Sequence, residues 1–356
     1  MKVAFITNHS TETGIGKQNH TLINWLKQKW VDVDLIFLCI PSIHKNRPEW
    51  KYIKSDIFNN YYASVLLWTM YVFPKKLTKL LKEGWYTHVI LSNQSLGYLY
   101  HSLKKTGLKI TIIIHDLIIL HSIREKLLMK NLDKFENLVF ISEFTKNDYI
   151  KHYGPLKNKN YAVIYQWIDK KDINNKIKEH LKEKYNLKNK TVFLNVWAEY
   201  SSKNIITYLE LAKKYKENKD LLFVRVWRPS KESSDYISTH KLDNVLYLSW
   251  LSNEELFALY SLSKAVISTS TLEWYWRQIF EWYLYSNYVI TSDVSDVRNM
   301  FDWDNSVHVI ENPYDTEKYC EAIKKIIKSK EIPIKTKIIP NTLQESENYY
   351  NCLKQL

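Results

Sequence analysis

The segment KAVISTSTLEWYWRQIFEW, residues 264–282, contains the pattern from which the fold can be inferred. Its first residues, KAVIST, are typical of a buried strand, and the residues around Glu281 predict a helix. Two carboxylates, Glu273 and Glu281, lie eight positions apart across this junction. Unpaired backbone N–H groups at the start of a helix attract anions. We therefore expect this loop to bind a ligand that carries phosphate.

The same alternation of strand-like and helical segments runs through the whole chain and restarts near residue 190. A length of 356 residues exceeds one typical domain core and fits two domains. Alternating strands and helices predict parallel sheets covered by helices. We therefore expect an α/β protein with two doubly wound, Rossmann-like domains that face a cleft. The predicted domains are residues 1–167 and 191–341, and residues 168–190 are predicted to link them.

Composition excludes several classes of protein. With 45% hydrophobic and 25% charged residues, the chain is typical of a globular protein. No run approaches the roughly 20 apolar residues that span a bilayer, and the short apolar start predicts a first strand and not a signal peptide. Cys39, Cys320 and Cys352 lack the spacing of a metal site. We therefore expect reduced thiols in the cytoplasm and no bound metal.

The net charge of +13 raises the question of an anionic partner. Only six of the 51 basic residues are arginine and no nucleic-acid recognition motif is present, so we expect no nucleic-acid binding. Two interpretations of the lysines stay open: they are solvated surface residues, or some of them form a basic face for acidic lipid head groups. The lysines of this face in the first domain are Lys75, Lys76, Lys79, Lys82, Lys104, Lys105 and Lys109.

The spacing of Glu273 and Glu281 resembles the signature of retaining glycosyltransferases with two Rossmann-like domains (GT-B), especially glycosyltransferase family 4. The resemblance implies a hexosyltransferase that moves a sugar from a nucleotide-sugar donor to an acceptor hydroxyl, with retention of anomeric configuration. It further implies a role in glycan or glycolipid synthesis, a glycan or lipid-linked acceptor, no cofactor and no metal. A cytoplasmic location is expected, with peripheral contact to the inner face of the membrane as an option. In this architecture the last helix, here residues 342–356, packs back onto the first domain.

The resemblance assigns roles in the second domain by position. Glu281 is expected to accept hydrogen bonds from the ribose hydroxyls, and Glu273 from hydroxyls of the donor sugar close to the reacting centre. Lys203, at the head of a predicted helix, is expected to neutralise the donor diphosphate. An arginine that is common in the family is replaced by Ala198, and Arg228 or Arg277 is the candidate substitute. The backbone amides expected to hold sugar and phosphate are those of Tyr275, Trp276 and Arg277.

Two sites are expected in the first domain. Gly14 and Gly16 follow the first predicted strand and by resemblance lie near the donor phosphates and the acceptor, although they could simply form a tight turn. Asn19 occupies the place of the third glycine of a dinucleotide fingerprint, which argues against NAD. His115 follows a predicted strand over residues 109–114, and by resemblance it faces the reacting sugar. A purely structural role for His115 stays open.

Tryptophan occupies positions where the family motif or a turn requires glycine. An indole allows neither a positive φ nor the close approach of backbone to a diphosphate, yet Trp274 and Trp276 stand at both glycine positions of the motif. The chain has 6 Gly and 13 Trp, whereas ordinary usage is roughly 7% glycine. Our hypothesis is that UGA codons, read as glycine by the organism, have been translated as tryptophan. The suspected positions are Trp30, Trp167, Trp197, Trp227, Trp250, Trp274, Trp276 and Trp303.

Two alternatives to a glycosyltransferase stay open at this point. If Trp274 and Trp276 are genuine, they fill the donor pocket, and the chain is a catalytically inactive scaffold or binding protein on the GT-B fold. An epimerase or a phosphorylase could also use the same two-domain fold.

Overall fold

The structure is a computed structural model, and it describes residues 1–8, 14–39, 51–54, 73–115, 117, 123–165, 168, 170–273, 277–301, 304–329, 331–335 and 342–355. The chain divides into two compact units. The first unit comprises Met1–Gln166 together with Thr342–Leu356, and the second comprises Trp167–Asn341. The predicted linker, residues 168–190, belongs to the second unit.

The first unit contains a sheet of parallel strands. In chain order these are β1 (Lys2–Thr7), β2 (Asp32–Cys39), β3 (Lys51–Lys54), β4 (His88–Leu91), β5 (Lys109–Ile114), β6 (Asn137–Phe140) and β7 (Asn160–Val163). They pair in the order β3-β2-β1-β4-β5-β6-β7, so the order reverses between β1 and β4. Val3–Thr7 of β1 is buried without interruption, which is typical of parallel strands covered on both faces.

Helices of the first unit alternate with these strands along the chain. They are α1 (Gly14–Gln28), α2 (Phe73–Glu83), α3 (Tyr100–Lys104), α4 (Ile123–Leu128) and α5 (Glu143–Tyr153). Ser142 is the N-cap of α5, because its hydroxyl accepts a hydrogen bond from the Thr145 N–H at 3.0 Å. The cap fixes where α5 begins, directly after β6.

The second unit contains a second parallel sheet. Its strands are β8 (Thr191–Asn195), β9 (Leu221–Val226), β10 (Val245–Leu248), β11 (Ala265–Ser268), β12 (Tyr288–Ser292) and β13 (Val307–Ile310). They pair in the order β10-β9-β8-β11-β12-β13, and this order reverses between β8 and β11. Ligands of such sheets bind at the carboxyl ends of the strands beside the reversal point. A ligand of this sheet would therefore be expected at the loops after β8 and β11.

The helices of the second unit begin inside the predicted linker. They are α6 (Asn175–Lys184), α7 (Ile205–Lys214), α8 (Lys231–His240), α9 (Asn253–Leu262), α10 (Arg277–Tyr285), α11 (Val297–Phe301) and α12 (Thr316–Lys328). Helix α6, which falls within residues 168–190, packs on α9 of the same unit. A capping box starts α9: the side chains of Ser252 and Glu255 each accept a hydrogen bond from the backbone N–H of the other residue.

The last helix, α13 (Thr342–Gln355), belongs to the first unit, where it packs on α1. The ring of Trp25 on α1 meets the ring of Tyr350 edge-on, with centroids 6.1 Å apart. A Lys29–Glu347 ion pair of 3.4 Å lies beside it at the surface. The chain therefore returns to its first unit after completing the second.

These two sheets confirm the predicted fold class of two doubly wound α/β domains. No helix among the described residues is long and apolar enough to cross a membrane.

Three tryptophans have a backbone conformation that bulky residues rarely adopt. Trp30, Trp85 and Trp250 have φ angles of 61°, 58° and 62°, and their side chains are 96%, 87% and 82% exposed. A left-handed backbone costs an L-residue about 1–2 kcal/mol and costs glycine almost nothing. Because the exposed indoles have few contacts to offset that cost, the structure supports glycine at Trp30 and Trp250. Trp85 is a further such position, which the sequence analysis did not include.

Other suspected tryptophans receive no such support from the backbone. Trp197 and Trp227 are described, and neither has a positive φ. Trp167, Trp274, Trp276 and Trp303 lie outside the described residues. Trp25 is 7% exposed within α1, as expected for a genuine tryptophan.

Replacing Trp30, Trp85 and Trp250 by glycine is therefore expected to stabilise the protein. Each substitution should raise the free energy of unfolding by about 1 kcal/mol, because it relieves the left-handed strain without removing buried surface. Denaturant unfolding of the triple variant measures the sum. The control is Trp25→Gly, which should instead lower the stability by about 3 kcal/mol or more, because it opens a cavity and places glycine inside a helix. A triple variant less stable than the printed sequence would contradict the hypothesis at these positions.

Candidate functional site

The candidate site of the second unit lies where the strand order reverses. Lys203 is in the loop after β8, and Glu273 is in the segment after β11. These two strands are neighbours, with Ala265 paired to Phe193 and Val266 to Leu194. Residues 70 positions apart in sequence therefore meet at the carboxyl edge of the sheet.

Lys203 and Glu273 form a direct ion pair. The Lys203 Nζ donates to Glu273 Oε1 at 2.5 Å, and the two side chains are only 11% and 8% exposed. The same Nζ lies 3.8 Å from the ring centroid of Trp197, so the ammonium also contacts an aromatic face. The resemblance assigns these two residues different ligands, and in the structure they bond each other.

The backbone around Lys203 is tied to the segment that leads to Glu273. Ser201–Lys203 forms one 3₁₀ turn, followed by Asn204 in the left-handed region at φ 47°. The Thr269 hydroxyl donates to the carbonyl of Asn204 at 2.8 Å. The Thr271 N–H donates to the carbonyl of Ser202 at 2.8 Å. The loop with Lys203 and the segment before Glu273 therefore form one connected edge.

Glu273 and Glu281 are placed by the strand–loop–helix unit that the sequence predicts. The Ser295 hydroxyl donates to the backbone carbonyl of Glu273 at 2.5 Å. Glu281 is half-buried on α10, which begins at Arg277. Burial, together with the nearby charge of Glu281, raises the pKa of the Tyr260 hydroxyl well above its usual value. Tyr275 and Trp276, with the side chain of Arg277, lie outside the described residues.

Arg228, one of the two candidate substitutes for the missing family arginine, takes no part in the Lys203–Glu273 ion pair. Arg228 is exposed, and its guanidinium lies 4.7 Å from the ring centroid of Trp250. Arg225 lies three residues earlier, on β9. It is fully buried and donates to Glu199 in the loop before Lys203. Sequence reasoning missed Glu199, because a lone carboxylate in a polar loop is indistinguishable from a solvated one. The single arginine within the apolar strand LLFVRV was the available signal.

In the first unit, His115 lies directly after β5 and is 5% exposed. Its ring Nε2 is 2.9 Å from the carbonyl of Ser92, which follows β4. Its backbone N–H donates to Gln94 Oε1 at 3.0 Å. These contacts fix the imidazole at the carboxyl edge of β4 and β5, where the sequence predicted it. Its neighbour Asp116 lies outside the described residues.

Gly14 and Gly16 lie within the first turn of α1 and not in a separate glycine turn before it. A helix can begin at these glycines, because its first N–H groups need no intrahelical partner and glycine is tolerated there. The Asn19 side chain donates to the hydroxyl of Thr7 at 3.2 Å and so joins α1 to the end of β1. This buried bond accounts for Asn19 at the place of a third glycine.

Among the residues that the structure describes, no group of three or more His, Cys, Asp or Glu side chains is arranged to hold a metal ion.

Comparisons with known proteins agree with this architecture. The sequence model of Glycosyltransferase Family 4 matches residues 13–172, and no curated protein matches the chain by sequence. The apo form of the lipopolysaccharide outer core galactosyltransferase WaaB aligns with a TM-score of 0.74 at 19% identity, covering 100% of this chain and 99% of that chain. Anabaena HepE, in complex with UDP and glucose, aligns with a TM-score of 0.78 at 13% identity over 100% of both chains. A glycosyltransferase from Rickettsia africae ESF-5 gives 0.73 at 16% identity, covering 99% and 93%.

At these identities the solved structures establish the fold, and the family match over residues 13–172 adds a sequence relationship. Together with the two doubly wound sheets, they show that the chain has the two-domain GT-B fold and resembles glycosyltransferase family 4 in sequence over residues 13–172.

Proposed function

We propose that the chain transfers a hexose from a nucleotide-sugar to a hydroxyl of a glycan or lipid-linked acceptor, with retention of anomeric configuration and without a metal. The observation that carries the proposal is the buried Lys203–Glu273 pair beside the reversal of strand order, with Glu281 on the helix that follows. A uridine nucleotide is the first donor to test, because HepE forms complexes with UDP and with UDP-glucose.

Each residue of this edge has a distinct task in the proposed reaction. Lys203 stabilises the negative charge that develops on the leaving diphosphate. Glu273 accepts hydrogen bonds from hydroxyls of the donor sugar, and Glu281 accepts them from the ribose. The bond from the anomeric carbon to the phosphate oxygen breaks, a bond to the acceptor oxygen forms on the same face, and the hydroxyl proton leaves with the diphosphate.

Two further groups of contacts are proposed from the resemblance. The backbone amides of Tyr275, Trp276 and Arg277 hold the sugar and phosphates, and Gly14 and Gly16 lie near the donor and acceptor. His115 contacts the reacting sugar with an imidazole that Ser92 holds in place. Arg228 is proposed to contact the donor nucleotide.

The test is product analysis with a panel of UDP-, GDP- and ADP-sugars, with and without glycan acceptors. Transfer requires the acceptor, and NMR of the product shows whether the anomeric configuration of the donor is retained. Glu281→Ala should weaken turnover strongly. An altered donor sugar formed without acceptor would indicate an epimerase, and use of inorganic phosphate as acceptor would indicate a phosphorylase. Absence of nucleotide binding in a product verified to contain Trp274 and Trp276 would indicate an inactive scaffold.

We further propose that the first unit meets the inner, anionic face of the membrane. Helix α2 buries Phe73, Leu77 and Leu81 and exposes lysines along its opposite side. Lys75, Lys79 and Lys82 on α2 line one surface together with Lys105, which follows α3. Four ammonium groups with Glu83 as the only acid among the residues lining that surface make a patch suited to acidic lipid head groups.

Replacing Lys75, Lys79 and Lys82 by glutamine is expected to weaken binding to vesicles that contain phosphatidylglycerol by at least about tenfold, since each surface lysine contributes about 1 kcal/mol. Cosedimentation at low and high salt measures the loss. The matched control replaces Lys324, Lys325 and Lys328, which are exposed on α12 of the second unit. Equal losses in the two triple variants would show that net charge alone governs binding and would contradict the proposed surface.

A further inference from the structure

Arg225 is a charged residue in the middle of an apolar strand. It lies on β9 and is fully buried. Its guanidinium points to the end of β8 and the loop that follows, and one nitrogen donates to the side-chain oxygen of Asn195, the last residue of β8. The other terminal nitrogen donates to the carbonyl of Trp197 at 2.9 Å and to Glu199 Oε1 at 3.3 Å. The contacts with Trp197 and Glu199 lie on both sides of Ala198, six and four residues before Lys203.

Glu199 receives hydrogen bonds from three further residues on two other elements. Its Oε2 accepts from the N–H of Ser230 at 2.7 Å and from the hydroxyl of Ser233 at 2.8 Å, both at the start of α8. Its Oε1 accepts from the hydroxyl of Tyr247 on β10 at 2.9 Å. Burial alone would raise the pKa of Glu199, but these hydrogen bonds outweigh it and hold that pKa below its usual value. Glu199 is therefore an anion that joins the loop to β9, β10 and α8.

The C-terminal end of the same loop, residues 202–204, is held by the segment after β11. The Thr269 hydroxyl donates to the carbonyls of Lys203 and Asn204 at 3.1 and 2.8 Å. The Thr271 N–H donates to the carbonyl of Ser202. The loop is thus anchored by Arg225 and Glu199 at its start and by the segment before Glu273 at its end. Lys203 lies at the C-terminal anchor, where its carbonyl accepts the hydrogen bond from Thr269.

A buried ion pair is a weak source of stability, because desolvation of both charges offsets their attraction. The Arg225–Glu199 pair instead fixes the conformation of the loop between β8 and Lys203. A lysine side chain has four rotatable bonds and many conformers, so its ammonium can meet a diphosphate reproducibly only if its backbone is held. Arg225 itself is fully buried and therefore does not reach a ligand.

We propose that Arg225 and Glu199 are positioning residues for Lys203: they fix the loop of residues 196–204 so that its lysine meets the leaving diphosphate. The inference rests on the proposed function for its ligand, but the loop conformation itself can be measured without any ligand.

The variant to test is Glu199→Gln, which retains the size of the side chain and sets an amide against the donors of Ser230 and Ser233. Hydrogen exchange of the Lys203 and Asn204 amides, which donate to the carbonyls of Tyr200 and Ser201, should become at least about tenfold faster if the anchor fixes the loop. Asn244→Ala is the control, because it removes another buried hydrogen bond, of 2.8 Å to the carbonyl of Ala212, at the start of β10. Unchanged exchange at Lys203 and Asn204 in Glu199→Gln, or equal acceleration in the control, would overturn the proposal.

Binding of UDP and uridine provides the functional readout. Glu199→Gln should lower the affinity for UDP at least about fivefold and leave the affinity for uridine unchanged, because only the diphosphate contacts Lys203. In the background of Lys203→Met the same change should have no further effect on UDP affinity. Additive losses, or an equal loss for uridine, would contradict positioning through Lys203. If the unaltered protein binds neither ligand, the proposed function fails while the exchange measurement still decides the role of the anchor.

Discussion

Lys203→Met is expected to lower kcat/KM for sugar transfer about 10³-fold. In the described site its ammonium is the cation beside Glu273, and removal of one group that stabilises charge in a transition state costs 10²- to 10³-fold in other enzymes. Methionine retains the apolar stem and removes only the charge. Initial rates with a saturating acceptor and varied donor measure the effect.

Lys264→Met provides the matched control for this prediction. Lys264 is half-buried in the same unit, donates to the carbonyl of Ser329 at 3.1 Å and lies 5.6 Å from the ring centroid of Tyr288. It precedes β11 at the amino edge of the sheet, away from the candidate site. Its loss should affect stability and leave kcat/KM within about twofold. A Lys203→Met enzyme as active as this control would remove the basis of the proposed reaction.

Glu273→Gln is expected to change nucleotide binding and turnover in opposite directions. The carboxylate of Glu273 holds the Lys203 ammonium at 2.5 Å, so an incoming diphosphate must compete with it. Removing that charge should strengthen UDP binding roughly tenfold, which corresponds to about 1.4 kcal/mol. The same change removes a charged acceptor for the donor sugar, and turnover should fall at least about 10²-fold.

Calorimetric titration with UDP and initial rates separate the two effects of Glu273→Gln. Because the change leaves a buried lysine without its carboxylate, the melting temperature of the free variant should fall, and UDP should raise it more than in the parent. Glu281→Gln is the control. It should weaken UDP binding, because a carboxylate that binds the ribose contributes to UDP affinity. Weaker UDP binding in both variants would show that Glu273 does not compete with the diphosphate.

The fold could be predicted because each strand is a short apolar run that ends at a polar loop. Strand β5 (Lys109–Ile114) and the capped helices α5 and α9 agree with their sequence patterns, since Ser142 and Ser252 bond within their own segments. The helical position of Gly14 and Gly16 was not predicted, because two glycines suggest a turn although the first turn of a helix tolerates them. Helix α6 was assigned to a linker, because its many lysines resemble a solvated connection. Its packing on α9 depends on residues far along the chain.

The site could be predicted only as a set of separate residues. Spacing and resemblance selected Lys203, Glu273 and Glu281, but the bond between Lys203 and Glu273 depends on the pairing of β8 with β11. No local pattern contains that pairing. The same reason applies to Glu199, whose partners Arg225, Ser230 and Tyr247 come from three other elements. Contacts between charged residues on different strands of a parallel sheet can be recognised only when the strand order is known.

The left-handed backbone at Trp30 has a practical consequence for making the protein. If the codon for this residue is UGA, a host that uses the standard code stops there and releases a peptide containing only β1 and α1. A single strand and helix cannot fold alone, because they lack the neighbouring strands that a stable sheet requires. A synthetic gene with ordinary glycine codons at the affected positions would yield the full-length chain.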